Sequence, residues 1–164
     1  MSYKIPESVL VVMYTPDLLV LLIERADKAG FWQSVTGSKD RIEEDLRETA
    51  QREIFEETGF EIGGPSGGSH SLPTHHLHDW QMKNIYEIYP VWRHRYAPGV
   101  TSNTEHVFGL LLPEPINPIL SPREHVQYCW LPYAEAADRC FSPSNAEAIL
   151  QLPVRLEATR ELLG

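Results

Sequence analysis

The stretch Arg52-Glu53-Ile54-Phe55-Glu56-Glu57-Thr58-Gly59 sets three carboxylates on adjacent turns of a helix and then ends that helix with a glycine. At roughly 100° per residue, Glu53, Glu56 and Glu57 fall within about one third of the circumference and form one acidic face. Leu46, Ala50 and Ile54 recur at four-residue spacing as the apolar stripe that docks on a core, and that stripe borders Glu53 and Glu57. A solvated acidic helix more often sets its charges opposite its apolar stripe, where water screens their repulsion. Here the acids crowd the buried side, and their repulsion needs another remedy.

Hard divalent cations supply one. Mg²⁺ prefers carboxylate oxygens and keeps waters and substrate phosphates as its remaining ligands, so this face is a candidate phosphate-bridging site with Arg52 orienting and partly neutralising it. Upstream, six residues separate Gly37 from Glu44, and seven more separate Glu44 from Arg52. This Gly-Glu-Arg-Glu spacing, running on through Phe60, resembles the signature of the Nudix hydrolase family, with one extra residue between the glycine and the first glutamate. Glu43 would restore the first spacing only by spoiling the second, so Glu44 is aligned. An ordinary charged surface helix explains the charges, but neither the glycine loop before it nor the crowding of acids against the apolar stripe.

The chain has 164 residues, of which 42% are hydrophobic, enough for one domain, 1–164, with a real core. Its formal charge of −9 argues against broad binding to nucleic-acid backbones, which basic surfaces drive by displacing counterions. A polyphosphate ligand would need a cation beside so acidic a surface. Cys129 and Cys140 make no paired metal-ligand spacing and read as packing residues. The N-terminus runs directly into a strand-like segment, so a cytoplasmic protein with reduced thiols and no membrane partner is expected.

Val9 to Tyr14 and Leu19 to Ile23 are β-rich runs joined by Thr15-Pro16-Asp17 and read as paired strands. Phe31 to Thr36 is a further extended segment before the Gly37 loop, and Ile42 to Thr58 is the acidic helix. Gly63 to Pro73 is rich in Gly, Ser and Pro and is expected to be a mobile, turn-rich insertion. Extended segments follow around Lys83 to Tyr96, Glu105 to Leu112 and Val126 to Leu131, then helical patterns over Pro132 to Arg139 and Ser144 to Leu152, the latter capped by Ser144 or Asn145. The patterning predicts an α/β protein with a mixed β-sheet and flanking helices. The resemblance implies more: the three-layer α/β/α Nudix sandwich, in which the loop and helix of the motif line a metal site.

Two other stretches, Phe31-Trp32-Gln33-Ser34-Val35-Thr36-Gly37-Ser38 and Arg93-His94-Arg95-Tyr96-Ala97-Pro98-Gly99-Val100-Thr101, are similar to those of the Nudix branch that acts on a pterin triphosphate. With Glu124-His125, Tyr128 and Trp130-Leu131 the similarity spans most of the chain. It implies Mg²⁺-dependent hydrolysis of 7,8-dihydroneopterin triphosphate to the monophosphate and pyrophosphate, a step in folate biosynthesis, with Mn²⁺ a substitute metal. By position, Glu53 and Glu57 are implied as metal ligands, Glu56 as a further ligand or water-activating group, and Glu124 as a distal acidic ligand. For substrate contacts it suggests Lys4, Arg25, Thr36 and Glu124, together with Tyr86, Glu87, Ile88 and Tyr89. A general nucleoside triphosphate pyrophosphohydrolase would use the same metal face, and a non-catalytic Nudix-fold ligand-binding module is the reading from another class. The sequence carries no signal of oligomeric state.

Chemistry gives these residues jobs, beside plainer readings. Lys4 and Arg25 are cations for outer phosphates, Tyr86 and Tyr89 offer rings to a flat pterin, and Glu87 could accept from its NH groups; tyrosines and isoleucines in strands are, equally, packing residues. Arg93 and Arg95 would share one face of a strand, as a phosphate-binding or ion-paired couple. Trp92 and Trp130 read as core. Glu124 in its turn-rich surroundings could equally be a solvated loop acid. His70, His75, His76 and His78 sit in or beside the Gly/Ser/Pro segment, where a preorganised metal shell is hard to build, and read as solvated loop residues.

Overall fold

The computed structural model describes residues 2–64, 68–121 and 123–163, with the side chains of 161–163 left aside. Its centre is β1 (Glu7–Tyr14). Val9 to Tyr14 is a continuous apolar run, buried on both faces as a central strand requires. β1 pairs antiparallel with β2 (Leu19–Arg25) at Tyr14↔Val20. The next extended stretch then divides. Trp32–Gln33, β3, pairs with β2, whereas Val35–Ser38, β4, passes to β1 with Thr36 opposite Leu10 and Gly37 opposite Val9.

Helix α1 follows as Leu46–Thr58. The sequence pattern predicted its start at Ile42, but Ile42 is exposed and Asp45 caps the helix by accepting from the Arg47 N–H at 3.1 Å. Gly59 ends it at φ 77°, a left-handed conformation that glycine adopts without steric cost. The short strands β5 (Glu61–Ile62) and β6 (Ser71–Leu72) pair in parallel. The expected mobility concerned a segment whose middle, 65–67, lies outside the described residues.

Strands β7 (Leu77–Glu87) and β8 (Ser102–Leu111) form a long antiparallel pair, and β8 runs parallel to β1 along its whole length. β9 (His125–Pro132) pairs with β2 and completes a seven-stranded mixed sheet. The expected strand over Lys83 to Tyr96 is corrected: it stops at Glu87, and Pro90–Arg95 forms a 3₁₀ helix. Pro90 lacks the N–H that a ladder needs and suits the first turn of a helix, so Arg93 and Arg95 share no strand face. Trp92 is corrected likewise. It is 37% exposed and meets Tyr89 edge-on, whereas Trp130 is half-buried against the core as expected.

Three helices close the chain: α2 (Tyr133–Arg139), α3 (Pro143–Leu150) and α4 (Leu152–Leu163). Ser142, not Ser144 or Asn145, caps α3, because Pro143 takes the first helical position. Asn145 turns inward instead. Helix α4 extends beyond the predicted end at Leu152, with Leu152, Leu156 and Thr159 on its buried side. On one face of the sheet, Val9, Val11, Met13, Leu21 and Ile23 pack with Ala50 and Ile54 of α1. On the other, Leu10, Val12, Tyr14, Val20 and Leu22 pack with α2, α3 and α4. These are the three layers expected of an α/β/α sandwich. Among the described residues, no helix is long and apolar enough to cross a membrane.

Candidate active site

Arg52 is the main tie between α1 and the loop from Ser38 to Glu44, beside the Arg41–Glu48 pair at 3.4 Å. Arg52 donates to Glu44 at 2.9 Å, to Glu53 at 2.8 Å and to the Ser38 carbonyl at 3.0 Å, and it pairs with Asp40 at 3.1 Å. Glu56 lies 3.8 Å from the same group. Glu44 is buried beneath it and also accepts from the Thr49 hydroxyl at 2.7 Å and the Asp40 N–H at 3.0 Å. The hydrogen bond from Arg52 pulls its carboxyl down to about 2. Arg52 is thus spent on carboxylates and the loop.

Glu53 extends over β4. A Cβ on Gly37 would overlap the Glu53 carboxylate, so the glycine of the motif provides the space in which that carboxylate sits. Beside it, Glu57 is 2% exposed, and neither of its carboxylate oxygens has a hydrogen-bond partner. Burial, then the Glu53 charge, push Glu57 well above the ordinary carboxylate range, and burial raises Glu53 too. A buried carboxylate without donors is costly, and such groups in native proteins usually await a ligand or ion.

The far wall comes from the start of β9. The ring nitrogen Nε2 of His125 lies 3.3 Å from Glu57 Oε1, and donor atoms of Glu57, Glu124 and His125 fall within 4.8 Å of one another. Glu124 is exposed, and its carbonyl accepts from the Ala26 N–H at 2.8 Å, which fixes this turn to the end of β2. Burial, then the Arg25 charge, lower His125 to about 4, so its imidazole is neutral and open to a cation. Carboxylate oxygens predominate in the group, the donor chemistry that suits a hard divalent cation.

The predicted substrate residues divide by location. Lys4 is held by its N–H to the Arg95 carbonyl at 2.8 Å, and its ammonium feels the charges of Arg95, Glu53 and Arg25. Lys4 and Arg25 thus lie at the rim of the acidic group, with the Arg25 guanidinium also engaged by Asp27 at 2.6 Å. Thr36 is on the opposite side of β4 from Gly37, and Tyr86 shares that face through the register of β1, β8 and β7. Glu87 ends β7 in the open. Ile88 is buried, and its backbone bonds Thr101 and Arg93. Tyr89 packs on Trp92 at the surface. His70 and His76 bond the carbonyls of Asn117 and Leu111. His125 was missed as a possible ligand; its adjacency to Glu124 was the one available signal.

The NUDIX domain family model matches residues 4–152. The chain belongs to the NUDIX family. Its similarity runs almost end to end: it is 39% identical over 150 residues to a dihydroneopterin triphosphate diphosphatase of Haemophilus influenzae, covering 91% of this chain and 88% of that one. An Escherichia coli K12 protein of the same name is 40% identical over 153 residues, covering 93% and 95%. The solved structure of the E. coli dihydroneopterin triphosphate pyrophosphohydrolase superposes with a TM-score of 0.77 at 39% identity, over 94% of this chain and 99% of that one. In this NUDIX fold, α1 brings Glu57, with Glu53 beside it, to meet Glu124 and His125 from β9 and the turn before it.

Proposed function

We propose that this NUDIX protein hydrolyses 7,8-dihydroneopterin triphosphate to dihydroneopterin monophosphate and pyrophosphate, a step of folate biosynthesis, with Mg²⁺ as cofactor and Mn²⁺ as a substitute. The carrying observation is the identity of about 40% to dihydroneopterin triphosphate diphosphatases across nearly the whole of both chains. The unpartnered oxygens of Glu57 beside Glu53, Glu124 and His125 support it chemically.

In this reading Glu53, Glu57 and Glu124 hold the cation, with His125 and Glu56 beside them. A bound divalent cation would neutralise phosphate charge and lower the pKa of a coordinated water. Lys4 and Arg25 hold the outer phosphates at the rim. Water adds at the anhydride between the first and second phosphates, and its P–O bond breaks to release the monophosphate and pyrophosphate. Arg52 keeps Glu53 and Glu56 aligned without touching substrate.

The test is steady-state pyrophosphate release with Mg²⁺ on 7,8-dihydroneopterin triphosphate and a panel of nucleoside triphosphates. A large kcat/KM advantage for the pterin is expected. Equal or better turnover of any nucleotide would overturn the substrate and leave the NUDIX chemistry in place.

A further inference from the structure

The sheet face under α3 ends in a group of polar side chains. Register places Ser8 beside Glu105, Glu105 beside Asn84, and Asn103 beside Tyr86, across β1, β8 and β7. Paired residues share a face, and this is the face that carries Leu10 and Val107 in the helix-covered core. Glu105 is 7% exposed and Asn103 2%. Glu105 accepts from the Ser144 hydroxyl at 3.2 Å and has no ion-pair partner among the described residues. Asn103 donates to the Ser8 and Tyr86 hydroxyls at 2.9 and 3.0 Å, but its Oδ1 is unpartnered; the Asn84 amide faces the Glu105 carboxyl and helps hold its charge, yet Nδ2 completes no hydrogen bond of normal geometry.

A buried carboxylate, an amide oxygen without a donor and an amide NH₂ that reaches the carboxylate only in poor geometry, side by side, are expensive to leave so in an empty core, at about 1–3 kcal/mol for each unmade bond. Together they complement one chemical pattern: adjacent N–H donors for the carboxylate and a carbonyl beside them for the amide. An amino-pyrimidinone presents that pattern, through its exocyclic amino group, ring N–H and carbonyl. Adenine and cytosine lack the ring N–H next to their amino group, and uracil lacks the amino group.

We infer that Glu105, flanked by Asn84 and Asn103, reads the amino-pyrimidinone edge of the substrate's base, the edge that pterins share with guanine; this deepens the proposed pterin substrate and rests on it. The group opens towards solvent at Tyr86, which is 45% exposed. Strand β4 joins it to the phosphate site, with Thr36 on the side of the base and Gly37 under Glu53 on the other. Burial raises the Glu105 carboxyl, and two ligand N–H groups would stabilise its ionised form.

The test measures kcat/KM of the full-length protein with Mg²⁺ on 7,8-dihydroneopterin triphosphate, GTP and ATP, for wild type, Glu105→Gln and Asn84→Ala. Gln offers one donor and one acceptor where the base needs two acceptors, so the pterin-to-ATP ratio should fall at least about 100-fold, and the GTP-to-ATP ratio should fall with it. Asn84→Ala should lower both ratios about 10-fold. Ratios within about threefold of wild type in both variants overturn the assignment. Should Glu105→Gln fail to fold, the ratios of Asn84→Ala decide. If wild type shows no pterin preference but Glu105→Gln still erases a preference for GTP over ATP, the proposed substrate falls and the role of Glu105 stands. The converse, a pterin preference that survives both variants, keeps the substrate and removes Glu105.

Discussion

The Glu53 carboxylate occupies the space in which a side chain on Gly37 would lie. The overlap is with the far end of a flexible side chain, so Gly37→Ala should displace Glu53 without disrupting β4. The expected result is a loss of about 100-fold in kcat/KM, the scale of a misplacement of about 1 Å, with the melting temperature changed by only a few degrees. Loss of fold together with activity would mean that Gly37 serves the strand and not the carboxylate.

Glu57 places a buried, unpartnered carboxylate beside Glu53. Without metal that arrangement is destabilising, so Glu57→Gln in the presence of chelator should melt at or above the wild-type temperature. Excess Mg²⁺ should raise the wild-type melting temperature and leave the variant's unmoved, because the stabilisation comes from binding to the folded state. Turnover should fall at least about 100-fold. Thermal denaturation with and without Mg²⁺, beside pyrophosphate release, reads all three; a variant that keeps its Mg²⁺ response removes Glu57 from the site.

The motif helix was legible because Leu46, Ala50, Ile54 and Gly59 report helix period and stop within a short span, and the three acids come with it. Its start was not, because Ile42 resembles a core residue by composition while the loop it sits in is held by the polar contacts of Arg52. Pro90 was the available warning against a strand through Arg95. His125 joins Glu57 only because β9 pairs with β2, a tertiary event with no local signature. Glu105 and Asn103 stand among Ser102, Thr104 and His106, so the first half of β8 has no apolar alternation to mark a buried face. Both lie under α3, whose position the strand pattern does not encode.

Asn145 fastens α3 to the sheet. It accepts from the Ser34 N–H at 2.8 Å and donates to the Ser34 hydroxyl at 2.9 Å, all of it buried. Asn145→Ala leaves an unpaired N–H and hydroxyl on Ser34, a cost of about 2–4 kcal/mol. Urea unfolding should register that loss as a lower midpoint with an unchanged slope. Because α3 also carries Ser144, the residual activity should show a raised KM for the pterin substrate. A stability loss below about 0.5 kcal/mol would show that the pair is replaced by water.

Glu44 links acid stability to the loop. Its carboxyl sits at about 2 in the folded protein against an ordinary value of 4.5, chiefly through Arg52. A depressed folded-state value stabilises the protein above the unfolded value, and that contribution is lost as pH falls from about 4.5 towards 2. At about 1.4 kcal/mol for each tenfold change in proton affinity, the upper bound is roughly 3.5 kcal/mol. Glu44→Gln keeps an acceptor for Thr49 and Asp40 but removes the charge, so it should be less stable than wild type at pH 7, and the gap should narrow steadily below pH 4.5. Urea midpoints of both proteins across this range measure it. A gap constant with pH would assign the effect to packing in the loop and not to the ion pair.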